Sequence, residues 1–311
     1  MTRVSVPVLL AALLVLGLAD AASPKTAAEV AQGKLAFVRF SEQLGYSQLW
    51  VLRSGGGRAA RLRLPFPSVD GPAWSPDGTS LIVVGGRSQP AAARVTQADD
   101  LYLVTAAGRP LRRITHDPAH ESGVAWAPKG AKIAFVRSPS SAPNRSSIFV
   151  ASVAGGALRR LTFGSVDLEP SWSSAGIAFL RIDPRTHTSG IWIVRPDGRG
   201  LHRILRGLAN VTDPVWAPRG NRLVLTDGRR LLVVRADGSG AHVVADLATD
   251  RNGGRLDPEP AWSPDGARVV FVQARAGAED RADLWSVHVT GGRLTRLTRS
   301  PGLDLSPAWG R

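Results

Sequence analysis

Eight carboxylates recur in one sequence context. Asp70, Glu121, Asp167 with Glu169, Asp213, Asp257 with Glu259, and Asp304 each stand a few residues ahead of a tryptophan. Gathered at one place, such groups could hold a cation, receive a basic peptide or grip a sugar. With a general acid and base among them, they could also hydrolyse a lactone or a glycoside. The alternative is that they cap turns and pair with nearby Arg. Other chemistry is sparse. His116 and His120 with Glu121 resemble part of a metal set but lack a third ligand at recognisable spacing. No G-x-S-x-G elbow, P-loop or H-E-x-x-H occurs, and the absence of Cys excludes thiolate nucleophiles, Cys-ligated metals and disulfides. Asn144-Arg-Ser and Asn210-Val-Thr fit glycosylation sequons, a match short enough to arise by chance.

The elements that must position these carboxylates are set by a repeat. Trp74, Trp126, Trp172, Trp216, Trp262 and Trp309 follow one another at 52, 46, 44, 46 and 47 residues, in contexts such as GPAWSPDG, DPVWAPRG and EPAWSPDG. Periods of this size belong to propeller blades or helical arrays. Each unit reads as four short strands. The Trp strand ends in a tight turn such as Ser75 to Gly78, where Pro presets φ and Gly takes the position that a side chain would strain. An apolar strand follows, as in Lys132-Ile-Ala-Phe-Val136 or Arg268-Val-Val-Phe-Val272, then a third such as Asp100-Leu-Tyr-Leu-Val104 or Asp283-Leu-Trp-Ser-Val287. The fourth is Leu111-Arg-Arg-Ile-Thr115, Leu158-Arg-Arg-Leu-Thr162 or Leu294-Thr-Arg-Leu-Thr298. No amphipathic helical period competes, and strands apolar on both faces suit sheets sandwiched between neighbours. The first strand, Lys34-Leu-Ala-Phe-Val38, has no Trp strand before it, and Pro307-Ala-Trp-Gly-Arg311 has nothing after it. Three strands at one end and one at the other make a sixth sheet. The expectation is an all-β, six-bladed β-propeller over residues 33–311, four antiparallel strands per blade, closed by the C-terminal strand pairing with the N-terminal three.

W-[SA]-P-[DKR]-G, then an apolar strand, D-L-W/Y-V and R-x-L-T, resembles the TolB-type, WD-repeat-like propeller repeat, across nearly all of the chain after its leader. Trp172 is followed by Ser174 where the other copies have Pro, and the Trp309 copy ends before its turn. The resemblance implies a non-catalytic binder. TolB-type proteins carry a further domain ahead of the propeller; with about a dozen residues between leader and first strand, the expectation here is a propeller without it. Similar propellers also sit beside the hydrolase domains of prolyl-oligopeptidase-like peptidases, for which this chain has no matching segment.

Faces and charges follow from four-stranded units. The second connections, Gly85 to Asp99, Arg137 to Ser146, Ile182 to Gly190 and Gln273 to Ala282, and the inter-blade segment Asp246 to Glu259 are long, and share one face with the eight carboxylates. Long loops on a rigid scaffold are where binding is built. The net charge of +14 comes from 39 basic residues, 35 of them Arg, against 25 acidic ones. Arg61, Arg63, Arg112, Arg113, Arg159, Arg160, Arg203, Arg293 and Arg296 fall in or beside fourth strands. There they discourage edge pairing and form no single groove for a polyanion. The repeated Trp residues are expected to pack between blades. Arg3, the apolar run Val4 to Leu18 and Ala19-Asp-Ala21 read as a leader over 1–21 that is removed on export, with an uncleaved membrane anchor as the alternative, followed by a linker over 22–32. The whole reads as a periplasmic or secreted monomer with no integral membrane segment after cleavage. It is expected to bind a protein or peptide through the long-loop face, with no nucleic acid, metal or cofactor.

Overall fold

The computed structural model describes residues 33–53, 58–86, 99–116, 118–142, 145–208, 210–247, 257–275 and 278–311. The leader and linker expected over 1–32 lie outside them, as do residues 87–98, 143–144 and 248–256 of the long connections. Every regular element described is a β-strand, and the strands form four four-stranded antiparallel sheets and one eight-stranded sheet in a propeller arrangement.

The Trp74 unit runs Ser68–Trp74, Ser80–Gly86, Asp100–Thr105 and Pro110–Arg113. The Trp126 unit runs His120–Trp126, Lys132–Ser138, Ser147–Ser152 and Arg159–Arg160. The Trp172 unit runs Val166–Ser173, Gly176–Ile182, Ser189–Val194 and His202–Arg203. The Trp216 unit runs Thr212–Trp216, Arg222–Thr226, Arg230–Arg235 and His242–Asp246. The remaining strands make one eight-stranded sheet. Ala261–Trp262, Arg268–Arg275, Ala278–His288 and Thr295–Arg296 form its first half. Leu303–Gly310 pairs antiparallel with Lys34–Ser41, which continues to Tyr46–Arg53 and Ala60–Arg61. One parallel bridge, Ala282 to Leu303, joins the halves. Trp309 therefore stands opposite Leu35, 274 positions away in the chain by residue number.

Second strands are the spine of each unit. Phe37, Phe135, Phe179 and Phe271 are fully buried at matching places in four of them. A Phe fully withdrawn from water contributes about 1.5–3 kcal/mol. The core is not one mass. Each apolar cluster lies between successive units, such as Phe135 with Ile82 and Leu101, or Phe179 with Ile148 and Val136. Another sets Ala36 and Leu49 of the Trp309 unit against Val69, Leu81 and Val83 of the Trp74 unit. The first strands of neighbouring units also touch, and their Trp ends line a shared cavity of about 520 Å³. Trp74, Trp216 and Trp262 are buried, whereas Trp126, Trp172 and Trp309 are half-buried at that cavity.

Local chemistry fixes the turns and edges. After Trp74, the Asp77 carboxylate accepts from the Ser75 hydroxyl at 2.6 Å and the Thr79 N–H at 3.0 Å, and Gly78 supplies φ = +68°. Ser263, Asp265 and Gly266 repeat the device after Trp262. Fourth strands are shorter than the sequence suggests, two residues in several units, because a side chain replaces the ladder. The hydroxyls of Thr115, Thr162 and Thr298 accept the N–H of Leu101, Ile148 and Leu284, each at 2.9 Å. The connection expected to be long from Gln273 to Ala282 instead extends the two strands it joins, with Arg275 opposite Ala278.

Candidate functional site

The residue three before each Trp occupies the left-handed backbone region in all six copies. These are Gly71, Gly123, Glu169, Asp213, Glu259 and Ser306, with φ between +41° and +54°. In the Trp74, Trp126, Trp172 and Trp216 units it sits in a bulge, where the pairing register slips between first and second strand. Gly meets this conformation freely. A Glu or Asp there costs about 1 kcal/mol or more, and such strain concentrates at functional sites. Three consecutive units carry a carboxylate at this strained place. Bulges also re-aim side chains and end the pairing, which brings groups of adjacent units together. The Glu169 carboxylate accepts the N–H of Asp213 in the next unit at 2.6 Å. The Glu259 carboxylate likewise accepts the N–H of Ser306 at 2.5 Å.

The eight carboxylates singled out in the sequence fall into two sets. Glu121, Asp167 and Asp304 lie five before their Trp, are almost fully buried, and face an Arg of their own unit's second strand. Arg181 meets Asp167 through two bonds, 2.7 and 2.8 Å, and Arg39 meets Asp304 through two, 2.6 and 3.0 Å. Such forked pairs are the strong kind of charged hydrogen bond. Arg137 stands 3.5 Å from Glu121, whose carboxylate also accepts from the Thr115 hydroxyl at 3.0 Å. Burial and the neighbouring Asp100 and Asp99 push the Glu121 carboxyl up to about 8.

The second set, Asp70, Glu169, Asp213, Asp257 and Glu259, forms a crescent. Oxygens of Glu169, Asp213 and Asp257 all lie within 4.8 Å of one another. The Ser306 hydroxyl bridges Asp70 at 2.9 Å and Glu259 at 3.3 Å, and the Asp257 carboxylate accepts the Glu259 N–H at 3.3 Å. No Arg or Lys forms an ion pair with these five among the described residues. Burial raises the carboxyls of Glu169 and Asp213 well above the ordinary range, reinforced at Asp213 by the charges of Glu169 and Asp257 and at Glu169 by that of Asp257. Burial first, then Asp70 and Asp257, pushes Glu259 up to about 7. The crescent is thus short of positive charge. Hard carboxylate oxygens at this spacing suit Ca²⁺- or Mg²⁺-like cations, Lys or Arg, and not softer metals.

One substitution within the repeat explains Asp257. Its counterparts Glu121, Asp167 and Asp304 face Arg137, Arg181 and Arg39, each two residues after the buried Phe of the second strand. After Phe271 that place holds Gln273, whose buried Oε1 has no partner among the described residues. Asp257, unlike its counterparts, is exposed. The sequence reading missed Arg39, Arg137, Arg181, Gln273 and Ser306. The recurring Phe-[Val/Leu]-Arg paired with an acid five before Trp was the signal for the first three.

The other sequence candidates lie apart. His120 sits 4.0 Å from Asp99, and no His joins the acidic cluster among the described residues. Fourth-strand Arg residues are largely engaged within the scaffold. Arg113 and Arg296 reach Asp100 and Asp283 of their third strands at 2.6 and 2.5 Å, and Arg112 and Arg159 donate to carbonyls of the following unit, those of Ala154 and Asp197.

Four-stranded sheets in radial array around tryptophan-bearing first strands define a β-propeller protein. Within that class, the chain belongs to the TolB beta propeller domain family, whose model matches residues 22–189. It is 26% identical over 201 residues to an uncharacterised protein of Agrobacterium fabrum, the match covering 61% of this chain and 64% of that one. Its fold is similar to TolB from Acinetobacter baumannii, with a TM-score of 0.71 and 18% identity, over 89% of this chain and 66% of that one. It is also similar to a putative TolB from Agrobacterium tumefaciens, with a TM-score of 0.58 and 20% identity, over 88% and 92% of the two chains. The chain thus spans just under two-thirds of the first relatives it matches.

Proposed function

We propose that this protein is an exported, non-catalytic propeller of six blades that binds a protein or peptide partner, through a basic segment, at the acidic crescent on its long-loop face. The observation that carries the reading is the group of five carboxylates without a basic partner among the described residues, three of them raised in pKa and four placed by left-handed residues or their neighbours. A Lys or Arg side chain from a partner would supply the missing charge, as Arg181 does for Asp167. The pairing of Leu303–Gly310 with Lys34–Ser41, and the apolar cluster between the Trp309 and Trp74 units, support a six-bladed ring over 33–311 closed by the C-terminal strand. Export rests on the leader-like residues 1–21. Among the described residues no helix is long and apolar enough to cross a membrane. Oxygens of three carboxylates within 4.8 Å of one another favour a second reading, a divalent cation held by Glu169, Asp213 and Asp257. Among the described residues the cluster contains no His, so the hydrolase alternative would rest on a pair of these carboxyls alone, as in a glycosidase.

Capture from an envelope or culture-medium fraction, with full-length protein and an Asp213→Asn/Asp257→Asn variant as parallel baits, tests the reading. A partner retained by the first and lost by the second is expected. A partner held equally by both would remove the crescent from the account.

A further inference from the structure

A second place in the molecule breaks the repeat, with the opposite sign. In five units an Arg on the fourth strand stands opposite an aromatic of the third: Arg113 and Tyr102, Arg160 and Phe149, Arg203 and Trp192, Arg296 and Trp285, Arg61 and Trp50. For three of these the guanidinium is anchored twice. Its Nε donates to the carbonyl two residues on, in Thr115, Thr162 or Thr298, at 2.8–3.0 Å. Its Nη2 reaches the side chain two residues before the aromatic, Asp100, Ser147 or Asp283, at 2.5–2.9 Å.

Arg203 has lost both anchors. The residue two before Trp192 is Gly190, which has no side chain to accept. The residue two beyond Arg203 is Leu205, held at φ = +53°, where its counterparts Thr115, Thr162 and Thr298 are absent from the non-glycine residues of positive φ. Arg203 keeps a single 3.2 Å bond to the Ser189 carbonyl, and its Nε is buried with no partner among the described residues. A cavity of about 430 Å³ opens onto this guanidinium, lined also by Arg185, Thr188, Ser165 and Trp192. Arg181 lines it too but is committed to Asp167, and Asp183 is turned to the N–H groups of Arg185 and Thr186. A half-buried guanidinium with one long hydrogen bond and an unpartnered Nε carries a desolvation cost that an incoming anion relieves.

We propose that this cavity is a binding site for a carboxylate, the guest taking the part that the side chains of Asp100 and Asp283 play toward Arg113 and Arg296. The guest oxygens face Arg203, with Arg185 as second cation and the hydroxyls of Thr188 and Ser165 as donors, while the Trp192 ring bounds the ligand's carbon skeleton. A planar two-oxygen acceptor is what the guanidinium fork matches. The guest is either a free organic acid or the acidic side chain of a peptide.

Calorimetric titration of the full chain with succinate, with N-acetylaspartate amide and with inorganic phosphate tests the site. Saturable binding of a carboxylate probe is expected, weakened about tenfold or more by Arg203→Gln. The tighter of the two carboxylate probes names the source. Gly190→Asp should rebuild the internal pair, raise the melting temperature and abolish binding. Gly190 lies outside the left-handed region, and its new Cβ would meet only the movable end of Arg203. No saturable binding of either carboxylate, equal affinity in Arg203→Gln or Gly190→Asp, or preference for phosphate over both carboxylates would each overturn the assignment.

Discussion

Asp167 and Asp257 hold the same place in their repeats, five residues before the Trp, and have opposite fates. Asp167 is sealed against Arg181 by two hydrogen bonds, whereas Asp257, in whose unit Gln273 stands at the sequence place of that Arg, is exposed beside Glu169 and Asp213. The difference is one side chain on the second strand. Where the ion pair is complete the carboxylate belongs to the scaffold, and where half of it is missing an unsatisfied charge is left for something else to meet. Arg203 is the mirror case, a cation whose carboxylate was removed.

That contrast can be broken at its strongest point first. Asp167→Asn should leave Arg181 buried and uncompensated, lowering stability by about 3–5 kcal/mol. That corresponds to a melting temperature lower by on the order of 10 °C; a calorimetric scan checks it. Asp257→Asn should lower it little or not at all. Equal losses would erase the distinction between the sets.

An intermediate effect is expected at the outer edge. Thr298→Val removes the acceptor of the Leu284 N–H and should cost about 1–3 kcal/mol in a denaturant melt. Gln273→Arg should sharpen the comparison from the other side. Rebuilding the missing pair should draw Asp257 out of the crescent and weaken binding of a Lys/Arg-rich peptide or of Ca²⁺ about tenfold, with stability kept.

The smallest effect is a pH dependence. Unfolded, the Glu259 carboxyl titrates near 4.5; folded, near 7. The folded protein therefore binds more protons between those values, and its contribution to stability is full below about 4.5 and lost as pH rises through 7. Glu169 and Asp213 shift in the same direction. In the presence of a chelator, the melting temperature should fall by a few degrees across that window, roughly 1 kcal/mol after solvent screening. Asp213→Asn/Glu259→Gln should flatten the fall. A melting temperature that rises with pH through the same window in the parent would contradict the crescent's proton load.

The architecture was legible because each unit states it again: six Trp at near-equal spacing, a tight turn after each and an apolar strand next. Strand lengths were less so, since nothing local distinguishes Thr115 as a ladder residue from Thr115 as a hydroxyl acceptor. The site was half legible. Acid five or three before Trp could be read, but whether a carboxylate ends paired or free depends on a residue such as Arg181 or Gln273, fourteen to sixteen positions further on. Left-handed conformation at Glu169 and Asp213 was invisible too, because the bulge arises from pairing between strands and not from the residue type.

The central claim is that incomplete pairs make the site. Titrating a Lys/Arg-rich peptide and, separately, Ca²⁺ into the parent chain, Asp257→Asn and Arg137→Gln tests it most directly. The account predicts that Asp257→Asn weakens binding about tenfold at unchanged melting temperature, while Arg137→Gln lowers the melting temperature and leaves affinity intact. Unchanged affinity in Asp257→Asn, for both ligands, would contradict it.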